Sequence, residues 1–264
     1  MDSMSKWREL GYRHLVWELL RYYLAFKNIA RQRDWLGELE ETKAIPAGND
    51  RLPIAPETIE LLKSYIMERD RAISIFLPQL RDEKSAKQFC VENAIKFGTT
   101  TTKNKDHHQA SKALVATVSA IAHEECTKRG IELDQNPQRR CIWCNTNGLH
   151  VTARNLDGAI PSTLNPKIIW EIKEYWGKTN GGSKMSDAVY ECNLVGRELR
   201  DFETQTNTSV THAVFVDGKD QWATRKSDLN RLIDLTYQGL IDQLYVGNDV
   251  ETKWRSALSA ILDS

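Results

Sequence analysis

Three residues in the second half of the chain have the types and spacing that metal-assisted hydrolysis requires: Asp157, Glu171 and Lys173. Asp157 and Glu171 supply carboxylate oxygens, which are the ligands that Mg²⁺ prefers in proteins. Lys173 is placed to orient or polarise a water molecule that attacks a phosphodiester. These residues together predict a hydrolytic metal site.

The residues before Glu171 predict the β-strand that carries this pair. Residues 168–170 read Ile-Ile-Trp, an apolar run rich in strand-forming types. Residues two apart on a strand point to the same face, so Glu171 and Lys173 should project together. Ile172 should project into the opposite layer.

This pattern resembles the PD-(D/E)XK nuclease superfamily, which shares the restriction-endonuclease-like fold, and type II restriction enzymes in particular. In that superfamily an acid begins a β-hairpin, and an acid-x-Lys motif lies on the next strand. The matching positions are Asp157, Glu171 and Lys173, and residues 158–170 suit the hairpin. Leu156 stands where the superfamily often has a proline.

The resemblance covers roughly residues 110–250 and implies an enzyme that hydrolyses DNA. It implies Mg²⁺, with Mn²⁺ as a substitute, held by Asp157, Glu171 and the backbone oxygen of Ile172. Lys173 would complete the catalytic set. The implied partners are double-stranded DNA and a second copy of the chain, and the implied setting is prokaryotic defence as a type II restriction endonuclease.

Two other interpretations of the same residues remain open. Glu171 and Lys173 could form an exposed charge pair that contributes a few tenths of a kcal/mol, and Asp157-Gly158 could be only a turn. The chain would then be a non-catalytic nucleic-acid-binding or assembly protein on the same fold, with a structural zinc as one option.

The order of predicted elements indicates an α/β fold with a restriction-endonuclease-like three-layer core, in which helices flank a mixed central sheet. Helices are expected over 56–76, 82–97, 109–129, 186–203, 227–244 and 251–262, and strands over 149–152, 168–175 and 212–216.

Residues 1–108 are expected to form a helical region for dimerisation or for clasping DNA, with the nuclease core in residues 109–264. Within the first region, residues 4–40 predict one long amphipathic helix with a break near Asp34, and residues 42–56 predict a linker.

Other residues are candidates for supporting roles. The loop after the motif strand carries Lys178, Asn180 and Lys184, which could contact a phosphate or a base edge. The helix before the hairpin carries Glu124 and Glu125, either of which could add an acid to the site, as in relatives within the superfamily.

A zinc site is a further, less favoured hypothesis. His123-x2-Cys126 precedes Cys141-x2-Cys144 by 14 residues, a spacing that fits structural Zn²⁺ ligands. The expected helix around His123 and Cys126 argues against it, and buried free cysteines are common.

Composition limits the class of protein. The 264 residues are 41% apolar and include eight tryptophans, enough for a substantial core. Lys plus Arg equals Asp plus Glu at 36 each, so DNA binding would require local basic patches. Five irregularly spaced cysteines do not suggest a disulfide scaffold, and no stretch has the length of a membrane span. We therefore expect a cytoplasmic protein that does not bind membranes.

Overall fold

The computed structural model describes residues 4–100, 110–137, 139–177 and 182–263, and it divides the chain into two compact units, Met1–Ser74 and Ile75–Ser264. The division therefore falls before residue 108, where the sequence suggested a boundary.

The first unit is helical with one small hairpin. Its elements are α1 (Ser5–Leu10), α2 (Leu15–Ala25), α3 (Ile29–Thr42), β1 (Ala44–Ala47), β2 (Asp50–Pro53) and α4 (Pro56–Phe76), the last of which extends just past the division. The single helix expected over 4–40 is wrong, because Gly11 leaves the helical conformation at φ 72° and the side chains of His14 and Asn28 cap two new helices. The expected linker is the β1–β2 hairpin, and the helix expected over 56–76 is confirmed as α4.

Two tryptophans and a tyrosine form part of the core of the first unit. Trp7, Trp17 and Tyr65 are buried, and Tyr65 meets both tryptophan rings edge-on at centroid distances of 5.1 and 4.9 Å. Edge-to-face packing is a favoured arrangement of aromatic rings. These side chains therefore stabilise their own unit.

The second unit is α/β. Its helices are α5 (Glu83–Glu92), α6 (Ala113–Arg129), α7 (Gly182–Thr206), α8 (Lys219–Thr224), α9 (Lys226–Tyr237), α10 (Asp249–Thr252) and α11 (Trp254–Leu262), and a short 3₁₀ helix spans Leu77–Gln79. Its strands are β3 (Asp134–Gln135), β4 (Arg140–Asn145), β5 (Gly148–Asn155), β6 (Gly158–Ile160), β7 (Ile168–Glu174), β8 (Thr211–Asp217) and β9 (Gln243–Val246).

The central sheet has five strands within the described residues, in the order β3-β6-β7-β8-β9. β6 pairs antiparallel with β3 and β7, whereas β8 pairs parallel with β7 and β9, so the sheet is mixed. The expected hairpin is confirmed as β6–β7, and the expected strand over 212–216 is confirmed as β8 beside the motif strand. β4 and β5 form a separate antiparallel pair.

Helices cover both faces of this sheet, which confirms the expected α/β arrangement. On one face, Trp170 of β7 and Phe215 of β8 belong to the same core as residues of α6 and α11. On the other face, Ile169 of β7 packs with Val195 and Leu199 of α7. The alternation along β7 thus separates two cores, and Glu171 and Lys173 follow Ile169 on the α7 face.

Several element boundaries differ from expectation. The sequence missed β4 and β9, and the helix expected over 227–244 ends at Tyr237 because Gly239 turns the chain at φ 75° toward β9. The expected stop of α6 at Gly130 is confirmed, with Gly130 in the left-handed conformation that glycine favours. Within the described ranges, no helix combines the length and apolarity needed to cross a membrane.

Candidate active site

Asp157 lies between β5 and β6, and hydrogen bonds hold its backbone on both sides. Its N–H donates to the carbonyl of Trp170 at 3.0 Å, and its carbonyl accepts from the N–H of Asn136 at 3.0 Å. The next residue must be glycine, because a Cβ on Gly158 would lie 1.9 Å from the Trp170 ring. Gly158 is therefore the first ladder residue of β6, and Asp157, just before it, is hydrogen-bonded on both sides, so Asp157-Gly158 is more than a turn.

The side chain of Asp157 is bonded to the motif strand. Its Oδ2 accepts a hydrogen bond from the backbone N–H of Ile172 at 2.7 Å. In a strand the N–H and carbonyl of one residue point to the same side, so the carbonyl of Ile172 also points toward the Asp157 edge. Two carboxylates and one backbone carbonyl therefore border the same end of β7.

Glu171 and Lys173 project from β7 on the α7 face, as the alternation predicted. Lys173 Nζ donates to Glu171 Oε2 at 2.7 Å, and only 1% of Glu171 and 5% of Lys173 is exposed to solvent. The interpretation as an exposed surface pair is therefore wrong. A buried ion pair carries a desolvation penalty that exposed pairs avoid, which calls for a reason beyond solubility.

Glu191 of α7 also binds Lys173. Its Oε2 accepts from Lys173 Nζ at 2.8 Å, and its Oε1 pairs with Nη1 of Arg154 on β5. Arg154 Nε lies 3.8 Å from Glu171 Oε2. With Asp157, these residues form a cluster of three carboxylates and two cations at one end of β7.

His212 adds a ring nitrogen to the same cluster from β8. Its Nδ1 lies 3.0 Å from the carbonyl oxygen of Leu240, and its Nε2 lies 3.3 Å from Glu171 Oε1. Since a carbonyl oxygen only accepts, Nδ1 must carry a proton. Within the described residues, Glu171 Oε1 has no hydrogen bond of good geometry although it is buried.

The three motif residues differ in how their surroundings shift their pKa values. Burial would raise the pKa of Glu171, but Lys173 and His212 together outweigh burial and lower the pKa to about 2. Burial would likewise lower the pKa of Lys173, but the attraction of Glu171 and the hydrogen bonds to Glu171 and Glu191 raise it. Burial raises the pKa of Asp157. Glu171 is therefore a carboxylate and Lys173 an ammonium near neutral pH, so Lys173 donates hydrogen bonds and cannot accept a proton.

The cluster includes one thiol that is not suited to be a nucleophile. Cys192 of α7 is fully buried beside Glu171 and Lys173, and burial, reinforced by Glu171, raises the pKa of its thiol well above the ordinary value. A thiol in that state carries little of the reactive thiolate.

The structure does not bring the four candidate zinc ligands together. No group of three or more His, Cys, Asp and Glu side chains in them is arranged to hold a metal ion. Cys126 and Cys141 are buried in the cores on opposite faces of the sheet, while Cys144 is exposed. His123, on α6, is exposed, away from Cys141. β4 also points Cys141 and Cys144 to opposite faces, because an odd number of steps separates them.

Neither candidate extra acid joins the cluster. Glu124 pairs with Lys128 and Arg255, and buried Glu125 pairs with Lys128, Arg129 and Arg255, between α6 and α11. Hydrogen bonds from Lys128 and Arg129 lower the pKa of Glu125 to about 2. These acids stabilise the packing of the two helices.

The predicted nucleic-acid contacts are only partly visible. Lys184 is exposed near the start of α7, on the helix that supplies Glu191. Lys178 and Asn180 lie outside the described residues.

Arg154, Glu191 and His212 were not among the site residues predicted from the sequence. The contact of Glu191 with Lys173 depends on how α7 docks on the sheet. His212 could have been found from topology: in a parallel pair with β7, it shares the face of Glu171.

Comparison with known proteins gives one family. Residues 75–261 match the family described as "Domain of unknown function (DUF7687)", and this match covers nearly all of the second unit. No curated protein and no solved structure matches the chain.

Proposed function

For this chain, which belongs to the DUF7687 family, we propose the function of a Mg²⁺-dependent DNA endonuclease on a restriction-endonuclease-like core. One observation carries the proposal: Asp157 is hydrogen-bonded to the backbone of Ile172, between Glu171 and Lys173, which share a buried 2.7 Å ion pair. Asp157, Glu171 and Lys173 therefore lie at the same end of the β6–β7 hairpin, where β6 begins and β7 ends. Buried charged groups with shifted pKa values are typical of functional sites.

The oxygen atoms at this position suit a hard divalent cation. Asp157, Glu171 and the carbonyl of Ile172 are oxygen ligands of the kind that Mg²⁺ and Mn²⁺ accept. Glu171 Oε1 is buried and accepts no hydrogen bond of good geometry within the described residues, although His212 Nε2 lies 3.3 Å from it. When bound, the cation would supply charge stabilisation at the scissile phosphate and a more acidic water.

Lys173 has the protonation state that the chemistry requires. Its ammonium can hold the attacking water through a hydrogen bond and stabilise negative charge that develops on the phosphate oxygens. Glu171 and Glu191 fix its position, and β7 lies between two paired strands, so the group is rigidly held.

The proposed substrate is double-stranded DNA. Cutting both strands of a two-fold symmetric site calls for two active sites, so we propose that the protein acts as a homodimer. A type II restriction endonuclease in prokaryotic defence is the setting that this activity would serve.

One observation favours a second candidate, a non-catalytic nucleic-acid-binding or assembly protein. Lys173 already donates to two carboxylates, Glu171 and Glu191, and such a closed network could serve stability alone. The candidates differ in whether Asp157 is needed for turnover.

The test is cleavage of phage and plasmid DNA with Mg²⁺, comparing wild type with Asp157→Asn and with Glu132→Gln. Glu132 is exposed and provides a matched loss of one carboxylate. We expect discrete products from wild type and Glu132→Gln, none from Asp157→Asn, and none from any protein after EDTA treatment. Binding of DNA without cleavage by wild type would support the second candidate.

A further inference from the structure

Arg154 lies at the proposed metal site although no motif includes it. It is near the end of β5, three residues before Asp157, and one third of its side chain is exposed. We propose that Arg154 is a phosphate-binding residue of this site, held by Glu171 and Glu191 when neither cation nor substrate is bound. This inference rests on the proposed function and adds a catalytic residue to it.

The contacts of Arg154 leave much of its guanidinium group unused. Nη1 pairs with Glu191, whereas Nε lies 3.8 Å from Glu171, too far for a hydrogen bond. Nε is buried and has no hydrogen-bond partner within the described residues. Arginine has five N–H donors in a planar fork that matches phosphate oxygens in a bidentate manner.

The charges of the cluster lead to the same role. Asp157, Glu171 and Glu191 carry three formal negative charges, and Lys173 and Arg154 carry two positive ones, so the cluster is negative by one unit. A divalent cation makes it positive by one, which matches the single charge of a phosphodiester. Without Arg154 the loaded site would be neutral. The arginine thus competes with the metal for carboxylates in the free protein and favours the phosphate once the metal has bound.

Two measurements test this role, and the first does not depend on activity. Binding of Mn²⁺ without nucleic acid is measured by calorimetry for wild type, Arg154→Ala, Arg154→Lys and Arg255→Ala. Arg255 is a matched control, since it is also a partly exposed arginine paired with two glutamates, Glu124 and Glu125, but between α6 and α11. We expect Arg154→Ala to bind Mn²⁺ several-fold more tightly than wild type, and Arg255→Ala to match wild type.

The second measurement is cleavage of DNA with Mg²⁺ by the same proteins. Arg154→Ala should lose roughly 100-fold in kcat, the size typical for a group that stabilises charge at the reacting centre. Arg154→Lys should recover part of this loss, because it restores the charge without the bidentate fork. Unchanged Mn²⁺ affinity together with unchanged kcat in Arg154→Ala would overturn the role of Arg154. Failure of wild type to bind Mn²⁺ or to cleave would instead overturn the proposed function.

Discussion

Asp157 and Ile172 are joined by a 2.7 Å hydrogen bond from the backbone N–H of Ile172 to the carboxylate of Asp157. The bond connects the segment before β6 to the end of β7, past the last paired residues of the two strands, Gly158 and Trp170. The bond therefore fixes the Asp157 carboxylate relative to β7, which is the kind of preorganisation that the proposed metal site would require.

This bond separates the structural role of Asp157 from its proposed metal role. In Asp157→Asn the amide oxygen can still accept from Ile172, so we expect stability close to wild type but loss of cleavage. In Asp157→Ala the partly buried N–H loses its partner, which should cost about 1–3 kcal/mol in addition to activity. Urea unfolding of both variants measures the difference; equal stability of the two would show that the hydrogen bond contributes nothing.

The ion pair between Glu171 and Lys173 should show strong coupling. Lys173→Met alone leaves Glu171 buried without its main cation, and we expect a loss of about 3–5 kcal/mol of unfolding free energy. The double variant Glu171→Gln, Lys173→Met removes both charges and should regain a large part of that loss. Neither protein should cleave DNA.

A double-mutant cycle from urea unfolding measures this coupling. The exposed pair of Glu18 and Arg21 on α2 provides a reference and should couple by less than about 1 kcal/mol. Additive effects at Glu171 and Lys173 would mean that the buried ion pair has no energetic role.

Much of the motif region could be predicted because its signals are local. The alternation from Ile168 to Lys173 follows from strand geometry alone, and Gly130 ends α6 through its own backbone freedom. The helix that follows the motif strand was likewise visible from its apolar face, as α7.

The rest of the site depends on packing that no local pattern encodes. Arg154 and Glu191 meet only because β5 and α7 dock beside each other, and His212 was concealed in an apolar run. The spacing of Cys141 and Cys144 resembled a zinc site. An x2 spacing in a strand, however, separates the two side chains, whereas in a knuckle it brings them together.

Glu174 should make the stability of the protein fall as the pH rises. Burial raises the pKa of this carboxyl to about 7, with a contribution from the negative charge of Asp217, whereas hydrogen bonds from the N–H of Leu114 and the Trp176 ring oppose the rise. The pKa of Glu174 is higher in the folded state than in the unfolded state, so the folded state binds the proton more tightly. The contribution of Glu174 to the free energy of unfolding is therefore fully present below about pH 4.5 and is lost as the pH rises to about 7.

The variant Glu174→Gln retains an oxygen for both donors and cannot ionise. We expect it to be more stable than wild type by about 2 kcal/mol at pH 8, allowing for partial exposure, and nearly equal to wild type at pH 4.5. Urea unfolding at both pH values tests this, with Glu132→Gln as the exposed control. A difference between variant and wild type that does not change with pH would show that Glu174 does not titrate in this range.

Arg139 and Arg140 should contact the DNA backbone on the approach to Asp157. Both side chains are exposed, Arg140 pairs with Asn155 across β4 and β5, and the carbonyl of Arg139 accepts from the N–H of Leu156, so they lie beside the segment that leads into Asp157. A lysine or arginine that contacts one phosphate releases about one counterion. Removing it should therefore lower the slope of log affinity against log salt by about one without changing sequence preference. DNA binding is measured with Ca²⁺ in place of Mg²⁺, so that no cleavage occurs. We expect the salt slope of Arg140→Gln to fall by about one. The control Lys96→Gln, which removes an exposed charge on the α6 side, should keep the slope of wild type. Equal salt slopes for wild type and both variants would place the path of the DNA elsewhere on the second unit.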